Sequence, residues 1–167
     1  SIPAKMYDEE FDEPRDPEQY GIAGWIKDDE SVLIYDRYDI WKVNPKNETA
    51  PVNITKTGRE TKTIFRYSKL EEDSVYLPNK IILNARNENT FLEGFYSLDL
   101  NSDNSLKELM MIDYGFTNPI KSKKSDRIIW QRYSYMEYPD LWTSNVDFSN
   151  QRKISTANPQ QSKYFWG

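Results

Sequence analysis

The sequence predicts an all-β fold: a partial β-propeller of about three four-stranded antiparallel blades. A strand pattern recurs three times at intervals of about fifty residues, the signature of a repeat architecture. Each copy holds an aliphatic and aromatic strand, a turn, an aromatic-centred strand ending in Asn or Asp, and a short closing strand. Trp41, Tyr96 and Trp142 fall in register across the copies, 55 and 46 residues apart. Four short strands per repeat is the unit of a propeller blade. No segment sustains an i, i+3, i+4, i+7 apolar pattern over three turns, so helix is expected to be nearly absent.

Residues 1–20 are acidic and carry Pro3, Pro14 and Pro17. They read as an extended lead-in on the surface. Three blade repeats are expected within 21–157, at about 21–56, 62–112 and 117–156. The first blade opens with a short strand at Tyr20–Trp25, before the turn Lys27–Glu30. Its next strands are Ser31–Tyr35, Tyr38–Asn44 and Val52–Thr55. The second blade is read from Lys80–Asn84, Gly94–Asp99 and Lys107–Met110, and the third from Asp126–Trp130, Asp140–Asn145 and Arg152–Ser155. Asn44-Pro-Lys-Asn47, Asn101-Ser-Asp-Asn104 and Asp147-Phe-Ser-Asn150 carry turn chemistry between strands. Residues 158–167 are expected to open a further exit strand. Three blades do not close a ring, so the chain reads as a piece of a larger protein.

Composition excludes several function classes. Aromatic residues reach 14% and hydrophobic residues 37%. Large amphipathic rings therefore supply much of the packing, as in β-rich folds. A net charge of −5 argues against a nucleic-acid partner, because phosphate binding needs a clustered basic surface. The basic run Lys121-Ser-Lys-Lys124 reads as a solvated strand end. Nothing approaches the roughly 20 apolar residues of a membrane span, and Ser1-Ile-Pro-Ala opens no signal peptide. Cysteine and histidine are both absent. Without imidazole there is no Ser-His-Asp or Cys-His triad, and the usual zinc sites are lost as well. The six glycines form neither a phosphate loop nor a nucleophile elbow. The chain is therefore not expected to be an enzyme, nor to hold a cofactor or metal. No catalytic residue is assigned, and the substrate-binding residues are unknown at this level.

Three clusters invite a functional reading. Asp36-Arg-Tyr-Asp39 could line a central pore, but reads better as a polar turn with Arg37 paired to a carboxylate. Trp25, Trp41, Trp130 and Trp142 could form a sugar-stacking platform, but their register favours packing between blades. Gly58-Arg59 follows a closing strand, where glycine usually supplies a positive-φ turn.

Tyr20-Gly-Ile-Ala-Gly-Trp-Ile-Lys-Asp-Asp29, Asp36-Arg-Tyr-Asp-Ile-Trp-Lys-Val-Asn-Pro45 and Thr57-Gly-Arg59 resemble the propeller of bacterial prolyl oligopeptidase-family serine peptidases. The likeness is to the large, secreted, dipeptidyl-peptidase-like enzymes. Glu137-Tyr-Pro-Asp-Leu141, Asn158-Pro-Gln-Gln161, Tyr164 and Trp166-Gly167 resemble that propeller's final blade and exit strand. The resemblance implies a propeller capping an α/β-hydrolase domain that follows Gly167 and supplies the catalytic Ser, Asp and His. It also implies short peptides as substrates of the parent protein and a periplasmic or secreted location.

Three functions remain open on sequence alone. The first is a non-catalytic propeller fragment of such a peptidase, gating peptide access and shaping specificity. The second is a stand-alone all-β module binding protein or carbohydrate, and the third a two-carboxylate glycosidase. Open blade faces on an isolated arc are expected to drive self-association.

Overall fold

Alternating β-branched and aromatic residues give three antiparallel sheets in the computed structural model, which describes residues 1–71, 73–101 and 105–164. The first sheet is β1 (Ile22–Trp25), β2 (Val32–Tyr35), β3 (Ile40–Val43) and β4 (Val52–Asn53), in that spatial order. The second is β5 (Thr63–Ser68), β6 (Lys80–Asn87), β7 (Glu93–Asp99) and β8 (Leu106–Ile112), again in chain order. In the third, β9 (Gly115–Phe116) and β10 (Ile120–Lys121) pair with opposite ends of β11 (Ile128–Tyr133). Strands β12 (Asp140–Ser144) and β13 (Arg152–Lys153) complete it. Strands β9 and β10 are two halves of one edge strand. Thr117 continues the pairing to Gln131, and the ladder breaks at Asn118-Pro119, where proline has no N–H to donate. Each sheet is thus a four-stranded meander, and the chain is a partial β-propeller of three blades.

The pairing register explains how the blades stack. Trp41 lies opposite Ile34, Tyr96 opposite Leu83 and Trp142 opposite Trp130, the same ladder position in each sheet. Side chains one residue away point to the other face. Leu33, Ile40 and Ile54 of the first blade meet Phe65, Ile81, Leu83 and Leu98 of the second in one core. Ile82, Phe95 and Met110, from the opposite face of the second blade, meet Ile128, Trp130 and Phe148 of the third. Ile129, Leu141 and Ile154 hold the equivalent positions in the third blade, where they are 44%, 38% and 43% exposed. Among the described residues, the cores of both gaps between blades are packed, and the far face of the third blade is open.

The tryptophans divide accordingly. Trp130 and Trp142 pack between the second and third blades, stacked with ring centroids 5.8 Å apart. Trp41 is buried, but on the outer face of the first blade, where its indole N–H donates to Asp36. Trp25 is 37% exposed and does not serve as an inter-blade packing residue.

Among the described residues helix is confined to one turn, α1 (Gly58–Thr61), and to short 3-10 segments at Lys27–Asp29 and Pro159–Lys163. The described part of the expected exit strand is thus a 3-10 turn opened by Pro159. Trp166-Gly167 and most of the Asn101–Asn104 turn lie outside the described residues. The acidic lead-in folds back on itself. Tyr7 bridges Gln19, Asp8 N–H donates to Glu18 O, and Tyr20 N–H donates to Met6 O.

Candidate interaction face

Successive meanders of identical order place the β2–β3, β6–β7 and β11–β12 turns at one end of the molecule, along with the links between blades. The β2–β3 turn is Asp36–Asp39, and both of its carboxylates are about 1% exposed. Asp36 Oδ1 accepts the N–H groups of Tyr38 and Asp39, each at 2.7 Å, and Oδ2 accepts Trp41 Nε1 at 2.9 Å. Asp39 Oδ1 accepts the Thr55 hydroxyl at 2.6 Å and Gly58 N–H at 2.9 Å, while Oδ2 accepts Arg59 N–H at 3.1 Å. Both carboxylates are thus occupied by donors from their own blade and the segment leaving it. This pair builds structure rather than glycosidase chemistry.

Gly58 has a different role from the positive-φ turn expected of it. The left-handed residues here are its neighbours Lys56 and Lys62, with φ of 65° and 58°. A Cβ on Gly58 would lie 2.8 Å from both Asp39 Oδ1 and Thr63 O, so the site needs glycine for close approach.

Asp140, at the start of β12, repeats the Asp39 arrangement. Its Oδ1 accepts the Ser155 hydroxyl at 2.7 Å and Ala157 N–H at 2.8 Å, as Asp39 accepts Thr55 and Gly58. The Thr55 and Ser155 oxygens in turn accept the Ile40 and Leu141 N–H groups. An Asp clamp thus fastens the start of the third strand of a blade to the segment leaving its fourth. The second blade has Gly94 at this position. Lys153, 2.7 Å away, together with these donors holds the Asp140 carboxyl at about 2, below its ordinary 3.8. A depressed native pKa means that the folded state binds fewer protons than the unfolded one. The clamp's contribution is therefore complete above about pH 4 and lost as pH falls towards 2. Asp140→Asn should flatten this part of the acid limb when urea midpoints are followed from pH 5 to pH 2. An unchanged limb would show that the clamp is not coupled to folding.

Charged and aromatic groups surround the turns. The Tyr38 ring lies under the cations of Arg37, Arg59 and Lys62, 5.2, 5.2 and 5.1 Å from its centroid. Its hydroxyl donates to Glu88 at 2.8 Å, and Arg37 reaches the same carboxylate at 3.0 Å, tying the first blade to the second. Arg37 also pairs with Glu10 and Arg59 with Glu9, so the lead-in is seated on this cluster. Arg59 holds the Glu9 carboxyl below its ordinary range. Arg37 is thus carboxylate-paired, as the polar-turn reading expects.

On the third blade, Arg132 lies 4.4 Å from the Tyr114 ring and 3.9 Å from the Trp142 ring, and pairs with Glu137 through two hydrogen bonds. Beyond it the β11–β12 loop exposes Tyr135 at 71%, Met136 at 64% and Tyr138 at 46%. Phe91 on the β6–β7 turn is exposed too, at a φ of 58° that non-glycine residues adopt infrequently. At this end Arg37, Arg59 and Arg132 are each paired with a carboxylate. Among the described residues no three carboxylates gather as a metal site. None of their helices is long and apolar enough to cross a membrane.

No family model matches the chain, and no curated protein matches it. A solved structure from Agrobacterium tumefaciens, described as a TolB, aligns with it at 15% identity and a TM-score of 0.48. The alignment covers 82% of this chain and 51% of that one, so the chain spans about half the length of that neighbour. The fold rests on the chain's own three blades.

Proposed function

We propose that this chain is a non-catalytic arc of a larger β-propeller in a prolyl oligopeptidase-family serine peptidase. There it gates peptide access to an α/β-hydrolase domain and shapes specificity. The observation that carries this reading is the open face of the third blade. Ile129, Leu141 and Ile154 occupy positions that the first two blades use to receive their neighbours. An apolar face repeated at fixed register is built to be covered by another sheet. The sequence resemblance names the parent, and with it a periplasmic or secreted location. Ring geometry supplies the mechanism: a channel along the first strands excludes folded proteins and admits extended peptides.

A second reading, a protein-binding module acting alone, is favoured by Tyr135, Met136 and Tyr138. Exposed aromatic and methionine side chains of this kind are enriched at interfaces.

Aminoacyl-proline and other dipeptidyl chromogenic substrates separate the readings. The gene product extended beyond Gly167 is expected to turn them over, and the 167-residue chain to leave them intact. Turnover by the purified chain itself, or an extended product with no nucleophile elbow, would overturn the peptidase assignment.

A further inference from the structure

The two inter-blade gaps close differently at the end opposite the turns described above. In the first gap, the long β5–β6 loop sends Leu77 back over the first blade. Leu77 is 9% exposed within the core, and its N–H donates to Trp25 O at 2.8 Å. It fills the space beside Gly24, where an added Cβ would lie 3.1 Å from its side chain. Gly24 pairs with Leu33, and Ser68 pairs with Ile82, the residue equivalent to Leu33 in the second blade. Ser68 therefore stands in the second gap where Gly24 stands in the first.

Among the described residues, Leu70 of the second blade packs beside Ser68, but no side chain of the third blade's loop reaches over it as Leu77 reaches over Gly24. The corresponding β10–β11 loop, residues 122–127, reads Ser-Lys-Lys-Ser-Asp-Arg and is closed by a bond from Ser122 N–H to Arg127 O. It is short and has no apolar side chain to insert. The space remains as a cleft of about 390 Å³ lined by Ser68, Ile82, Ser97, Leu109 and Val146, with Lys80 and Asp126 at its margin. Ser68 is 2% exposed, and its hydroxyl is buried without a hydrogen-bond partner. A buried hydroxyl without a partner is costly, and its presence marks a site that a polar group completes.

We propose that this cleft binds an extended peptide segment that inserts a branched aliphatic side chain, Leu or Ile, where Leu77 sits in the neighbouring gap. The apolar walls take the side chain, as the first gap takes Leu77. The Ser68 hydroxyl meets a peptide amide, and the charged margin keeps the mouth hydrated. The proposal is independent of the peptidase reading, because it uses only the contrast between the two gaps.

N-acetyl-leucinamide is the probe, with N-acetyl-glycinamide as control, titrated against the isotope-labelled chain by NMR. The amides of Ser68, Ile82, Ser97 and Val146 are expected to shift saturably, with the millimolar affinity usual for so small a ligand. Ser68→Ala should raise the thermal midpoint of the free chain or leave it no lower, since it removes a buried hydroxyl without a partner, and weaken binding by about 5-fold, the loss of one hydrogen bond. Asp126→Trp, a change at an exposed position, should block the mouth. Equal response to the glycine compound, shifts that never saturate, or undiminished affinity in both variants would overturn the proposal.

Discussion

Trp130→Ala is expected to cost about 3–5 kcal/mol, the usual range for deleting a buried large aromatic. Trp130 is 1% exposed and sits at the centre of the second core. Its ring centroid lies 5.6 Å from that of Phe116, 5.7 Å from Phe148 and 5.8 Å from Trp142. Its indole N–H donates to Ser144 Oγ at 3.2 Å, so the truncation also leaves a buried hydroxyl without that donor. For a chain of this size the loss corresponds to roughly 6–20 °C in thermal midpoint. Circular dichroism melts of Trp130→Ala and of Trp25→Ala make the comparison. Trp25 is partly exposed, and its removal should move the midpoint far less. Equal shifts would show that neither ring is held by blade packing.

Gly94→Ala is expected to be nearly as damaging, at about 3 kcal/mol, the upper end for overpacking. A Cβ at this position would lie 1.9 Å from Met110 O and 2.7 Å from its carbonyl carbon. Both are backbone atoms of the adjacent strand and cannot rotate away. The pairing of β7 with β8 shifts between Phe95 and Tyr96, immediately beyond this glycine. That bulge brings the strands too close for any side chain. The first and third blades place Asp39 and Asp140 at the equivalent position, so the constraint belongs to the second blade alone. Hydrogen exchange at the β8 amides should accelerate in the variant while the third blade's amides change less. Retained protection across β8 would refute the steric argument.

These residues show what can be read from a sequence of this kind. The period-two alternation around Trp41, Tyr96 and Trp142 is local, so the partial propeller fold is legible without coordinates. The polar reading of Asp36–Asp39 is legible in part, since the Asp36 carboxylate bonds to nearby Tyr38, Asp39 and Trp41, whereas Asp39 reaches 16 to 20 residues along to Thr55, Gly58 and Arg59. Glu88 is not legible as the partner of Tyr38 and Arg37, because it comes from another blade, 50 and 51 residues along the chain. Gly58 misleads because a close approach to Asp39 and a positive φ both select glycine. Trp41 misleads in a related way. Its register is that of an inter-blade residue, but it lies on the one blade that has no described neighbour on that side. The cleft at Ser68 escapes sequence reading altogether, because it arises from what Leu77 does elsewhere and the third blade's loop does not repeat.

The Asp clamps bear on how the chain assembles as it is made. Asp39 is satisfied only once Thr55, Gly58 and Arg59 are in place, and Asp140 only once Ser155 and Ala157 are. Among the described residues every strand pairs only within its own blade. A blade emerging from the ribosome can therefore complete its ladder early, with short loops to close and little entropy lost in closing them. Its clamp waits for the first residues of the connecting segment. The carboxylate thus acts as a latch that fastens when a blade is finished and its outgoing link has appeared, setting the direction of that link before the next blade exists to pack against.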